Sequence, residues 1–136
     1  MTGKPQTLSE LLGRGELLSP NCPSREVLRH VTSRWGVLVL VVLMSGTYRF
    51  SELRRKVGGI SERMLAQTLK DLEGDGFVKR VSYPVVPPHV EYSLTPLGAG
   101  IAEKVEDLAD WIEFNFSRIL EARNELEARS EMAEVS

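Results

Sequence analysis

The sequence predicts an α+β domain, mainly α: a set of helices, a two-stranded β ribbon and a long closing helix. Three observations lead there. Apolar residues recur at helical spacing over most of the 136 residues. The stretch 77–94 changes to strand-like alternation around a proline-rich tip. A last apolar-sided run, 97–120, is long and wide enough to ask for a partner. The length suits one domain with a real core.

Taken in order, residues 1–21 scatter Gly, Pro and Ser around one apolar patch (Leu8, Leu11, Leu12), which reads as an N-terminal arm. Pro23 and Ser24 open an amphipathic helix with Val27, Leu28 and Val31 on one side. The Val-rich run from about Arg34 to Met44 suits a strand or a buried helix; its length favours a helix central to the core, ended by Ser45-Gly46. A short helix is expected from Ser51 to about Val57, with Leu53 and Val57 inward and Arg54, Arg55 and Lys56 mostly outward. Gly58-Gly59 breaks it. Ser61 is a good N-cap for the next helix, with Ile60 and Leu65 as a hydrophobic staple. Leu65, Leu69 and Leu72 form its buried stripe, and Gly74 or Gly76 ends it.

Strands are expected over 77–83 and 89–94, the second with Val90, Tyr92 and Leu94 facing one way and His89, Glu91 and Ser93 the other. "PVVPP" between them cannot serve as a regular ladder. Thr95-Pro96 caps the closing helix, in which Ile101, Val105, Leu108, Ile112, Phe116 and Ile119 share a side, joined by Trp111 and Phe114. Residues 121–136 read as an acidic tail or an extension of that helix.

Composition is that of a soluble globular protein, 42% apolar and 26% charged, which excludes general disorder. The longest apolar run, "VLVLVVLM", is too short to span a bilayer, so a cytoplasmic protein without a membrane partner is expected. The net charge of −2 hides an uneven distribution. Residues 49–80 hold eight basic and five acidic groups, whereas 103–136 hold four basic and ten acidic. A polyanion feels the local field, so nucleic acid stays open as a partner.

Two helices joined by a tight Gly turn, the second amphipathic and followed by a hairpin, have the shape of a winged helix-turn-helix. An α-helix fits the major groove, where Arg pairs with guanine and Gln with adenine. Arg63, Gln67 and Lys70 fall at i, i+4 and i+7 and face the same way. Ser61 and the helix N-terminus can hold a phosphate. Arg49, Ser51, Arg54, Arg55 and Lys56 would flank the groove, and Lys79, Arg80 and His89 belong to the hairpin. Any solvated helix carries a polar stripe; here the Gly break, basic flanks and hairpin favour a reading surface.

The segments "CP" at 22–23, "RFSELRRKVGGIS" at 49–61, "ML.Q.L.DLE.DG.V.R" across 64–80 and "YPVVPPHVEYSLT.LG" at 83–98 are similar to the HxlR-type winged-helix regulators, relatives of the MarR-like group. The resemblance covers Cys22 to about Phe114. It implies a homodimeric DNA-binding transcription factor, with 61–73 as recognition helix, 77–94 as wing, and 97–120 and the helix near Ser24 building the dimer. His89 departs from the pattern, which has an Arg there, and a His is only partly charged near neutral pH. Several members use a cysteine at the "CP" position to sense oxidants or electrophiles.

Cys22 is the single cysteine, so an internal disulfide is excluded. A helix N-terminus and the nearby Arg25 favour its thiolate; an inert, partly buried thiol is the plain alternative. The products open to a sensor are an intersubunit disulfide, a mixed disulfide or alkylation. His30 is expected to be structural or at the dimer surface, and Trp35 and Trp111 to be core or interface aromatics. No metal or other cofactor is implied. No Gly-rich phosphate loop, nucleophile elbow or carboxylate pair points to catalysis. The expectation is therefore a dimeric repressor on an inverted-repeat operator of double-stranded DNA, possible modification of Cys22 included. The rival is a winged-helix protein-interaction module that binds no DNA.

Overall fold

The computed structural model describes residues 18–135. The apolar patch expected in the N-terminal arm lies outside the described residues. Helix α1 spans Pro23–Thr32, with Cys22 at its N-cap and Pro23 in its first turn. Helix α2, Arg34–Leu43, follows after the single extended residue Ser33. The Ser33 hydroxyl accepts from the Gly36 N–H (3.0 Å) and donates to the His30 carbonyl (2.9 Å), which satisfies both sides of the junction. Gly36 lets the two helices meet: a Cβ there would stand 2.0 Å from the His30 carbonyl oxygen.

The Val-rich run is the helix α2. Val39, Leu40 and Leu43 are buried, and burial on several sides outweighs the strand preference of β-branched residues. Beyond it lies strand β1, Tyr48–Arg49, which the sequence pattern does not announce because two residues show no periodicity. The sheet is accordingly three-stranded where a two-stranded wing was expected, in the order β1-β3-β2. Strand β1 pairs antiparallel with β3, placing Tyr48 opposite Tyr92 and Arg49 opposite Glu91.

Helix α3, Phe50–Lys56, starts one residue earlier than expected, so Ser51 lies inside it and Arg49 is its N-cap. The Glu52 carboxylate accepts the Arg49 N–H at 2.9 Å. Leu53 and Val57 point inward as expected. Gly59, at φ +86°, takes the left-handed conformation that the turn requires. Helix α4 spans Glu62–Gly74, and the Ser61 hydroxyl caps it by accepting the Met64 N–H at 3.1 Å. Ile60 and Leu65, the expected staple, are both buried.

Strands β2 (Val78–Tyr83) and β3 (His89–Leu94) form the wing. Because β3 is central, all six of its residues are half-buried, and the simple inside–outside contrast is blurred. Helix α5, Pro96–Phe114, is capped by Thr95, whose hydroxyl accepts the Gly98 N–H at 2.9 Å. The continuous helix expected over 97–120 is interrupted at Asn115. Its side-chain amide donates to the Trp111 carbonyl at 2.8 Å, beside its own backbone N–H at 3.1 Å. Helix α6 runs from Phe116 to Val135, so the acidic end is helical up to that residue.

The core lies among α2, α4, α5 and the inner side of the sheet. Leu40, Leu53, Leu65, Leu69 and Leu72 are its largest fully buried side chains. Each such leucine contributes about 1.5–3 kcal/mol on burial. Among the described residues, no helix is long and apolar enough to cross a membrane.

Candidate nucleic-acid interface

Helix α4 separates its two faces cleanly. Leu65, Leu69 and Leu72 anchor it, and Thr68 beside them is 7% exposed with its hydroxyl donating to the Met64 carbonyl. Ser61, Arg63, Gln67 and Lys70 are exposed on another side. Among the described residues, Arg63 and Lys70 enter no ion pair. Gln67 is held: its Nε2 donates to Asp71 Oδ1 at 2.9 Å. The Ser61 oxygen already accepts the capping hydrogen bond, and its O–H stays available to an anion at the helix N-terminus.

The basic flank is divided. Ser51, Arg54 and Arg55 line one shallow depression of about 350 Å³ together with Phe50 and Glu62. Arg54 donates to Glu62 at 2.9 Å, an exposed bridge that ties α3 to the first residue of α4. Such a bridge is worth little in stability, under about 1 kcal/mol, but it orients the guanidinium. Arg55 and Lys56 are exposed beside it, and both also border the depression that contains Tyr48 and Glu52.

In the wing, Lys79 and Arg80 are exposed but do not act as one patch. Register sets Lys79 opposite Ser93 and Arg80 opposite Tyr92, so the two side chains leave opposite faces of the sheet. His89 is coupled to the strand rather than free. Its Nε2 donates to Glu91 at 2.7 Å, and the Tyr83 ring meets the imidazole edge-on with centroids 5.2 Å apart. The Tyr83 hydroxyl also donates to Glu91, at 3.3 Å. Glu91 is thereby held below the ordinary glutamate range, first by the His89 hydrogen bond. Sequence reasoning missed Glu91 and Tyr83; the clue was their position around the proline tip.

His30 proves structural. Its Nδ1 donates to Asp75 Oδ2 at 2.6 Å, and its side chain is only 10% exposed. It also borders a cleft of about 330 Å³ between α1, the start of α2 and α4, which Trp35, Met64, Gln67 and Asp71 help to line. Cys22 is half-buried at the start of α1, with Sγ 3.2 Å from the Ser24 hydroxyl. Arg25, expected beside the thiol, directs its guanidinium to the Leu18 carbonyl at 3.2 Å.

Helices α3 and α4 about a Gly turn, with the antiparallel wing behind them, define a winged helix-turn-helix protein. The HxlR-like helix-turn-helix family model matches residues 30–119, and the chain belongs to that family. It is 65% identical over 119 residues to the HTH-type transcriptional regulator YtfH of Escherichia coli, covering 88% of this chain and 94% of that one. A solved structure of the putative transcriptional regulator ytfH from Salmonella typhimurium is 68% identical and superposes with a TM-score of 0.76, covering 79% of this chain and 96% of that one. The redox regulator HypR in its reduced form is 37% identical with a TM-score of 0.65, covering 74% and 98%. The protein is thus a transcriptional regulator of the helix-turn-helix type.

Proposed function

We propose that the protein is a homodimeric regulator that binds an inverted-repeat operator and represses transcription. The observation that carries this reading is the exposed polar face of α4, with Arg63, Gln67 and Lys70 together and a capped, open N-terminus. Arg49, Ser51, Arg54, Arg55 and Lys56 supply phosphate contacts on one flank, and Lys79 and His89 supply them from one face of the wing, while Arg80 leaves the other face. Phosphate contacts position the protein, whereas base contacts specify the site. A second copy covers the apolar surface of the last two helices. Trp111, Phe114 and Phe116 are 60%, 86% and 50% exposed, more than a lone chain ordinarily leaves in one place. A two-fold then sets two α4 helices about 34 Å apart, one turn of DNA.

The test is a gel-shift and salt titration on DNA upstream of the gene. Arg63→Ala with Gln67→Ala should reduce preference for the operator by more than it reduces non-specific binding. Equal losses in both would remove the base-reading role. Binding should weaken steeply with salt, and Arg55→Ala should flatten that slope by about one unit. A salt-insensitive association with another protein would favour the interaction-module reading.

Cys22 is the proposed sensor of oxidants or electrophiles. Its partial exposure at a helix start and the similarity to HypR support this. Diamide or a quinone should alter operator affinity in the wild type. The same response in Cys22→Ser would dismiss the thiol.

A further inference from the structure

Gln67 carries an amide whose two ends look alike in shape but not in hydrogen bonding, and its neighbour settles which end goes where. Gln67 Nε2 stands 2.9 Å from Asp71 Oδ1, one turn further along α4. An ionised carboxylate only accepts, so the amide nitrogen must face it; a reversed amide would set two acceptors against each other. His30 of α1 is engaged elsewhere: its Nδ1 donates to Asp75 at 2.6 Å and its Nε2 accepts from Arg29 at 3.4 Å, so it stands 3.9 Å from Asp71 Oδ2 without a hydrogen bond to it.

We infer that Asp71 is a positioning residue that makes Gln67 select adenine over guanine. This rests on the proposal that α4 reads DNA. With one amide hydrogen committed to Asp71, Gln67 offers the groove one N–H and one carbonyl oxygen. That donor–acceptor pair matches adenine, which presents an N7 acceptor and an N6 donor. Guanine presents two acceptors, N7 and O6, and the fixed oxygen of Gln67 opposes one of them. Asn at 71 removes the constraint: its own amide can donate to the Gln67 oxygen, which turns the Gln67 NH₂ outward as a double donor suited to guanine.

The experiment is selection of bound sequences from a random DNA library with the full chain, comparing wild type, Asp71→Asn and Gln67→Ala. Removing the negative charge at 71 raises affinity for all DNA alike, so the readout is base preference at each position, not affinity. Wild type should require adenine at one position of each half-site, and Gln67→Ala should lose that preference alone. Asp71→Asn should move that position toward guanine by about tenfold, leaving other positions unchanged. An Asp71→Asn profile identical to wild type would overturn the inference while leaving DNA reading by α4 intact. A Gln67→Ala profile identical to wild type would overturn the inference and the base-reading role of Gln67, leaving α4 to read through Arg63 and Lys70.

Discussion

Glu91 gathers three partners, two from its own hairpin and one from β1. His89 and Tyr83 hydrogen-bond to it, and Arg49 lies opposite it in register. The His89 hydrogen bond is the chief reason its carboxyl titrates below the ordinary range, with desolvation pushing the other way. A depressed carboxylate adds stability that is present above the unfolded-state value and is lost as pH falls through the folded-state value. His89→Ala should therefore raise the Glu91 pKa toward that of a free glutamate, read by side-chain NMR titration. No movement would mean that Arg49 and Tyr83 hold it without the imidazole. The residue pattern placed His89 and Glu91 on one side of a strand. It could not place Tyr83 and Arg49 beside them, because that depends on the registers of two pairings.

Among the elements, α4 follows the sequence most closely: its cap, its leucine stripe and its Gly exit are all local signals. Strand β1 was hidden because its two residues are strand only through pairing with β3. The break at Asn115 was hidden because apolar spacing continues across it. The α1–α2 junction depends on Gly36, where an added Cβ would meet backbone that cannot simply rotate away. Gly36→Ala should cost about 1–3 kcal/mol as overpacking, measured from the urea midpoint. An unchanged midpoint would show that the two helices can separate without loss.

At the scale of the molecule, charge and apolar surface are segregated. The basic residues of 49–80 lie on α3, α4 and the wing, whereas α6 is rich in acidic groups and almost wholly exposed. This suits a polyanion at one end and keeps the far end away from it. The exposed aromatics near the α5–α6 break lie outside the core, so changing them should spare the fold. Trp111→Glu combined with Phe114→Glu should yield a folded monomer by light scattering, with operator affinity reduced because two half-sites are no longer joined. A dimer of unchanged mass would move the interface elsewhere.

Local signals in the sequence determined most helices, the Gly turn, the proline-tipped hairpin and the polar stripe, since capping and periodicity depend on near neighbours. Tertiary structure decided the rest. It added a third strand, and brought His30 from α1 against Asp75 and toward Asp71 of α4. Those outcomes rest on contacts between residues up to 45 positions apart, as with His30 and Asp75. Only the packed chain, which buries apolar surface and must pair what polar groups it encloses, brings such residues together.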